Sequence, residues 1–492
     1  MKTLTGTMSP TRSTRSVPPG AIGSRRDSTP ITPTGGMHLR TPSSRPNLSE
    51  AFWRTVSWAL AGVSLAVVVG LWAVRAAADV FSLTSLGRLS GLLSADLLLI
   101  QVIMMARIPA LERAFGQDQL VHRHRAVGRA SFVLLMAHIV LITQGYAVGS
   151  GVSLPGELVD LVLHYPDMVA AAIAAGLIVL VVVTSIRRAR RRLRYESWHL
   201  IHLYAYLGIG LAIPHELSTG QDFSGSVATA YWWTVYGAAL GAVLVWRILL
   251  PGYRSLRHGL RVDRVVHEAP DVVSVYVRGR NLDRLQARAG QFFIWRFLDR
   301  AGWTRGHPFS LSAEPTDREL RLTVKDLGDG SGAVRRLRPG TRVLIEGPYG
   351  RMHLGARRRQ RVLLLASGIG ITPIRALLEE LEPAPGHLTV VYRAGTREGL
   401  VLGREIHQIA AARGARVYYL LGPRRTSQRR PSWLPAGNDT LSDVEILKLL
   451  TPRVAGHEVY ICGPAAWTDA VHRTVLQAGV PPARIHHERV TW

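Results

Sequence analysis

One cysteine, Cys462, is present in 492 residues. An intramolecular disulfide is therefore excluded, and so is a zinc-thiolate or iron–sulfur centre built on several cysteines. Any electron carrier has to be held by histidine or in noncovalent pockets. Acidic residues are also few: 34 Asp and Glu stand against 60 Lys and Arg, a formal net charge of +26. Such an excess fits nucleic acid, acidic lipid or the cytoplasmic flanks of membrane helices. Where basic residues are missing decides among these. The stretches 148–166 and 217–228 contain no Lys or Arg at all, and each joins two long apolar segments.

Six such segments lie at about 53–75, 89–107, 126–147, 167–186, 197–216 and 229–250. Each approaches the ~20 residues that cross a bilayer. The second is the least clean, because it carries Asp96 and Gln101. The loop after it holds Arg107, Arg113, Arg123 and Arg125, and the loop after the fourth segment, Arg187 to Arg194, holds six arginines. The positive-inside rule places these loops, the N-terminal tail and everything after residue 250 in the cytoplasm of a multi-pass cell-membrane protein. Six buried helices of a water-soluble protein would not alternate their charge in this way. The positive charge is topological, and no nucleic-acid partner is needed to explain it. Residues 1–50, rich in Ser, Thr, Pro and Gly, are expected to form a disordered cytoplasmic tail. Arg25-Arg26 lies too far before the first apolar segment to be an export signal.

The stretch "HRHRAVGRASFVLLMAH" opens the third segment, with His124 and His138 fourteen residues apart. The fifth, "YESWHLIHLYAYLGIGLAIPHEL", carries His199, His202 and His215. An imidazole in hydrocarbon is costly without a partner. Both segments cross in the same direction, so their early histidines share one depth and their later ones another. Fourteen residues rise about 21 Å along a helix, the separation that two stacked bis-histidine haems need. Helical phase returns His138 to within about 40° of the His124 face, whereas His215 ends roughly 140° from His202. Pro214 precedes His215 and removes a backbone donor, so a local kink there re-aims the ring. A lone histidine in a membrane helix is more often an interhelical contact than a ligand. Four, at two matched depths, point to haem iron: His124 with His202, and His138 with His215. His122 and His199 compete for the inner position.

On these residues, and on "RIPALERAFGQDQLVHRHRAVGR", the membrane half resembles the ferric reductase and NADPH oxidase superfamily. The resemblance implies a six-helix domain over 53–250 with two b-type haems on its third and fifth spans. That family uses spacings of fourteen and thirteen, which selects His202 over His199.

From about residue 255 the pattern turns to alternating strands. The segment "HPFSLS" follows the strand-like "GQFFIWRF" and resembles the flavin-binding strand of ferredoxin-reductase-like domains. The resemblance implies an antiparallel β-barrel FAD domain over 255–355. In it His307 and Pro308 approach the FAD diphosphate, Phe309 packs on the isoalloxazine, and Ser310 lies near its reactive nitrogen. The glycine-rich turn "GDGSGAVRRL" opens a helix and offers free N–H groups to phosphate through Gly330, Ser331 and Gly332. "RVLLLASGIGITP" reads as a buried parallel strand entering a glycine turn. Nucleotides bind beyond the carboxyl ends of such strands. Gly368, Gly370, Thr372 and Pro373 mark that turn in a predicted α/β NAD(P)-binding domain over 358–492. Cys462, Gly463 and Pro464 resemble the family's nicotinamide-side turn, though Trp467 stands where the family usually has Met. Arg393 follows the strand "TVVY", where an arginine meets the 2′-phosphate of NADPH and an acid would favour NADH. Arg424 and Arg425 are placed to assist. By resemblance, Glu488 lies near the flavin and Trp492 covers its face.

These features imply a membrane oxidoreductase that passes electrons from NADPH through FAD and two haems to an acceptor outside. Ferric iron is the first expectation. A superoxide-generating oxidase is one alternative, and a haem-flavin subunit that delivers electrons to, or senses redox state for, a partner is another.

Overall fold

Met168–Ser185 contains no charged residue and is apolar on every side, the pattern of a helix that contacts lipid or other helices all round. In hydrocarbon such a segment has to satisfy its own backbone, which the α-helix does. The structure is a computed structural model. It describes residues 48–492 apart from 77–78, 191, 194, 224, 300–305, 383, 427–430, 438–439 and 491–492. The tail expected over 1–50 lies, up to residue 47, outside the described residues.

The first half is helical: α1 Leu48–Ala76, α2 Leu83–Met105, α3 Pro109–Phe115, α4 Gln117–Ser150, α5 Leu154–His164, α6 Met168–Ser185, α7 Arg187–Arg190, α8 Tyr195–Ser218, α9 Ser226–Val243 and α10 Leu250–His258. A π-helical turn, Leu244–Leu249, joins α9 to α10. Among the described residues, five helices are long and apolar enough to cross a membrane: Ala51–Ala76, Leu83–Met105, Gln119–Ser150, Met168–Ser185 and Ser226–His258. The fifth predicted span, α8, is not in that set. Its 24 residues suffice in length, but its histidines and Glu216 lower its apolarity. The helices over the third and sixth predicted spans are also longer than the 126–147 and 229–250 expected from hydropathy, because they continue into polar sequence, the third at its N-terminal end and the sixth at its C-terminal end.

Helix α2 packs along α4, and α6 along α8. Small residues allow this close approach. A methyl added at Gly87 would come within 2.9 Å of Ile142, and one at Gly145 within 2.6 Å of Thr84. Asp96, the residue that made the second span look unsuitable, is fully buried. It accepts from the Ser64 hydroxyl at 2.7 Å and from Tyr231 at 3.0 Å, which ties α2 to α1 and α9.

The second half begins with two three-stranded antiparallel sheets. One is ordered β1-β2-β5 (Arg261–Ala269, Val272–Arg278, Glu319–Lys325). The other is β4-β3-β6 (His307–Ser310, Phe292–Phe297, Val343–Tyr349). Bridges at Arg261–Arg342 and Leu311–Leu322 link them around a core that includes Phe293 and Trp295. Helix α11, Asp329–Val334, lies between β5 and β6.

A five-stranded parallel sheet follows, formed by β7 Val362–Ser367, β8 Leu388–Ala394, β9 Arg416–Leu421, β12 Glu458–Pro464 and β13 Ile485–Val490. Its order is β13-β12-β7-β8-β9. All six residues of β7 are buried, as a central strand covered on both faces requires. Helices α12 Ile371–Glu380, α13 Gly403–Ala412, α14 Asp443–Leu450 and α15 Ala465–Gln477 accompany it, with a small hairpin of β10 Arg424–Thr426 and β11 Pro431–Pro435.

Candidate functional site

The imidazoles of His124 on α4 and His202 on α8 face each other with ring centroids 5.9 Å apart. Two imidazoles that hold one metal at about 2 Å on either side place their centroids roughly 6 Å apart. His138 lies on α4 and within electrostatic range of His215 on α8. The structure thus brings the first predicted pair together as facing rings.

The remaining ring nitrogens identify which atom is free. His138 Nδ1 lies 2.9 Å from the Gly87 carbonyl oxygen, so Nδ1 carries the proton. At His215, the Thr219 hydroxyl donates to the His215 carbonyl at 2.8 Å and lies 2.8 Å from Nδ1. Its one proton is spent, so it accepts from Nδ1–H. His202 Nδ1 is 3.5 Å from the Ser185 hydroxyl, and Trp198 lies against the His202 ring at 5.0 Å. In His138 and His215 Nε2 is left for a ligand bond, the arrangement that orients metal-binding histidines. His124 Nδ1 is buried without a partner. This donor set fits haem iron. His122 is exposed, and His199 lies near Arg247 and Arg296 rather than in the ring pair. Sequence reading missed Gly87, Gly91, Thr219 and Ser185. The G-x-x-x-G spacing of Gly87 and Gly91 was the available signal: a methyl at Gly91 would sit 2.5 Å from His138 Nδ1.

In the second half, β4 pairs with β3 so that Ser310 stands opposite Phe292 and Phe309 opposite Phe293. Trp295 donates to the Phe309 carbonyl at 2.9 Å. The rings of His307 and Phe309 lie parallel, 9° apart in plane, at 5.7 Å, and Pro308 between them is exposed. Gly350 is a close-approach position with φ of 96°, and a methyl there would be 2.5 Å from Glu488 Oε1 and 3.2 Å from Phe292. Ser310, Phe292, Gly350 and Glu488 thus converge, and they leave an aromatic-walled edge suited to a flavin ring. Cys462 stands opposite Glu488 on the neighbouring strand. Burial, and then Glu488, pushes its thiol well above the usual range, so it stays protonated.

The turn Gly368–Gly370 touches the same strand end. A methyl at Gly370 would lie 2.3 Å from the Cys462 carbonyl oxygen, and Gly368 has φ of 56°. Thr372 and Pro373 are buried in the first turn of α12. Gly463 packs on the Trp467 ring, while the Trp467 N–H donates to the Trp433 carbonyl at 2.9 Å. Trp467 is therefore core, and Pro464 is the exposed end of the strand.

Arg393, at the end of β8, donates to the Gly422 carbonyl at 3.1 Å and keeps a buried, unpartnered Nε. Burial and the neighbouring Arg424 lower its pKa. The proposed helpers are otherwise engaged: Arg424 with the Ser432 and Ala466 carbonyls, Arg425 with Asp443. Gly330, Ser331 and Gly332 lie in α11 itself, and the Ser331 hydroxyl accepts from Leu327 N–H at 2.8 Å in the turn that precedes it. The Asp326 carboxylate accepts from Gly328 N–H at 3.3 Å in the same turn. Trp492 lies outside the described residues.

Residues 90–213 match the family of the ferric reductase like transmembrane component. The ferredoxin reductase component of 3-ketosteroid-9-alpha-monooxygenase from Rhodococcus rhodochrous is 26% identical over 46% of this chain and 64% of its own length. The ferredoxin–NAD(+) reductase component of an alkene monooxygenase system from Xanthobacter autotrophicus is 29% identical, over 41% of this chain and 60% of its own. A flavohemoprotein from Chromobacterium violaceum is 26% identical, over 52% and 63%. The chain thus spans 60 to 64% of the length of these relatives. Among solved structures, the FAD/NAD binding domain of a nitric oxide dioxygenase from Vibrio cholerae is 21% identical, covering 47% of this chain and 98% of that one, with a TM-score of 0.39.

Proposed function

We propose that this ferric reductase-like chain, with its ferredoxin-reductase-type domains, is a transmembrane oxidoreductase moving electrons from cytoplasmic NADPH to an acceptor outside. FAD and two b-type haems are its cofactors, and together they convert a two-electron hydride donor into one-electron carriers. The observation that carries this reading is the opposition of His124 and His202 at 5.9 Å, and His138 and His215 are proposed as a second pair on the same two helices. Six spans, with α8 as the fifth, keep both termini and the reductase half in the cytoplasm.

Each residue then has a task. His124 and His202 hold the inner iron, His138 and His215 the outer one. His307, Pro308, Phe309 and Ser310 seat the flavin, with Gly330, Ser331 and Gly332 toward its pyrophosphate. Gly368, Gly370, Thr372 and Pro373 let the nicotinamide cofactor approach the sheet, and Arg393 selects the 2′-phosphate. Cys462, Gly463 and Pro464 border the nicotinamide. The protonated Cys462 thiol packs there rather than attacking, and Glu488 places one carboxylate beside the hydride path. Trp492 covers the flavin until nicotinamide displaces it.

Ferric iron is the acceptor in this reading. The test is anaerobic reduction of purified, haem-loaded protein with NADPH, followed by ferric chelate or dioxygen. Rapid haem oxidation by the chelate, with slow oxidation by dioxygen, is expected. The reverse order would make the protein an oxidase. No oxidation by either without a second protein would make it a subunit of a larger assembly.

A further inference from the structure

Two backbone irregularities on the membrane side present arginines to one turn of the flavin-binding half. Arg107, directly after α2, has φ of 67°, a left-handed conformation that side chains other than glycine adopt at a cost. Its guanidinium lies over the Tyr349 ring at 4.5 Å and donates to Glu112 at 2.8 Å. Arg247 lies in the π-helical turn Leu244–Leu249, where regular α-helical bonding is interrupted. It donates to Glu346 Oε1 at 2.7 Å. Strained or π-helical backbone that persists marks a place where the surroundings over-determine the geometry. Here both departures serve neighbouring residues of β6.

Glu346 is 2% exposed. It accepts from Arg247 of the membrane half, from Arg296 of β3 at 3.4 Å and from the Tyr349 hydroxyl at 3.1 Å. Arg254 donates to the Gly347 carbonyl, and Ser255 Oγ accepts from Ile345 N–H at 3.0 Å. On its far side, the same turn abuts the flavin edge: Gly350 faces Glu488 and Phe292. On its near side, Arg247 and Arg296 are within electrostatic range of His199, one helical turn before His202. One turn of chain therefore lies between the proposed flavin edge at Gly350 and Arg247, which is within electrostatic range of His199 on the helix that carries a proposed inner-haem ligand.

We propose that Glu346 is a positioning residue for electron passage: its junction with Arg247, steadied by Arg107 on Tyr349, sets the separation between flavin and inner haem. This rests on the function proposed above. Flavin and haem, where bound, would exchange electrons singly past this turn, and Glu346 would act only by holding the turn in place. A buried carboxylate that loses one of its partners is left uncompensated, so the turn shifts. Small misplacements far from the reacting atoms are enough to slow a step by an order of magnitude or more.

The test is anaerobic stopped-flow with NADPH on full-length, haem-loaded protein, following flavin bleaching and haem reduction separately. Arg247→Met is expected to leave flavin reduction unchanged and slow haem reduction about tenfold or more. Arg247→Lys, which keeps the charge and a donor, should recover most of the rate. Glu346→Gln should reproduce the Met variant. If it does not assemble, Arg107→Met reads the same junction from the other side. Haem reduction at the wild-type rate in both Arg247→Met and Arg107→Met overturns the proposal, as does equal slowing of flavin and haem reduction. A wild-type protein without haem, or without flavin bleaching, would overturn the proposed function instead.

Discussion

The Nδ1 of His138 lies 2.9 Å from the carbonyl oxygen of Gly87 on the adjacent helix. That bond fixes the ring against a notch made by Gly87 and Gly91 and leaves Nε2 free of this contact. Gly91 is the exposed point of this arrangement, since a methyl there would meet Nδ1 at 2.5 Å and Cε1 at 2.9 Å. Gly91→Ala is expected to release the outer haem while the inner one stays. Purified variant should lose roughly half its haem by extraction and keep NADPH-driven flavin reduction, because ligand orientation is lost without unfolding the bundle. Full haem content in Gly91→Ala would remove His138 from the ligand set.

Thr219 offers a gentler probe of the same haem. Its hydroxyl accepts from His215 Nδ1 at 2.8 Å, and valine would preserve the shape while removing the acceptor. Loss of such outer partners typically weakens metal binding about 10- to 100-fold. Thr219→Val should therefore lose outer haem to an apo-protein scavenger faster than wild type, with the inner haem unaffected.

Paired depth was legible from the sequence because it needs only spacing and span direction. Those two narrow the inner position to the early histidines of each span, and the family resemblance, not spacing alone, selects His202 over His199. What packs behind each ring was not legible. The Gly87 carbonyl and the Thr219 hydroxyl act across or along helices, and no periodicity distinguishes them from neighbouring small residues. Asp96 shows the same limit from the opposite side. Read alone it spoils a span, yet Ser64 and Tyr231, 32 and 135 residues away, supply its hydrogen bonds. The flavin strand and the parallel sheet were readable because each is a contiguous motif. The role of Trp467 was not, because its N–H partner, the Trp433 carbonyl, belongs to a hairpin that only folding brings beneath β12. The junction at Glu346 escaped for a related reason, since Arg247 lies 99 residues earlier in the chain.

Arg393 tests nicotinamide choice. Its buried Nε has no partner, whereas Arg424 and Arg425 are taken up by backbone carbonyls and Asp443. In the proposed function Arg393, which also donates to the Gly422 carbonyl, is the arginine that meets a 2′-phosphate. Arg393→Gln should raise KM for NADPH by about tenfold, with little change for NADH. Steady-state rates with both nucleotides decide it, and equal effects on the two would assign Arg393 to the fold.

The contact between the flavin-binding sheets and the parallel sheet has its own acid sensitivity. Arg321 of β5 and Arg375 of α12 both bind Glu405 of α13, at 3.0 Å and 2.8 Å. Burial raises the Glu405 carboxyl, but the two guanidiniums outweigh it and hold the group below the ordinary glutamate range. A carboxyl depressed in the folded state binds its proton more readily once unfolded. Its stabilisation is therefore complete above the unfolded value of about 4.3 and is lost as pH falls through the lower, folded value. Thermal unfolding followed by flavin fluorescence should show the midpoint falling across that acid window in wild type. Glu405→Gln should lower stability at neutral pH by about 2 kcal/mol for the charge-assisted bonds removed, read as a lower midpoint, and should flatten the decline in acid. An unchanged acid slope in the variant would show that another carboxylate governs it.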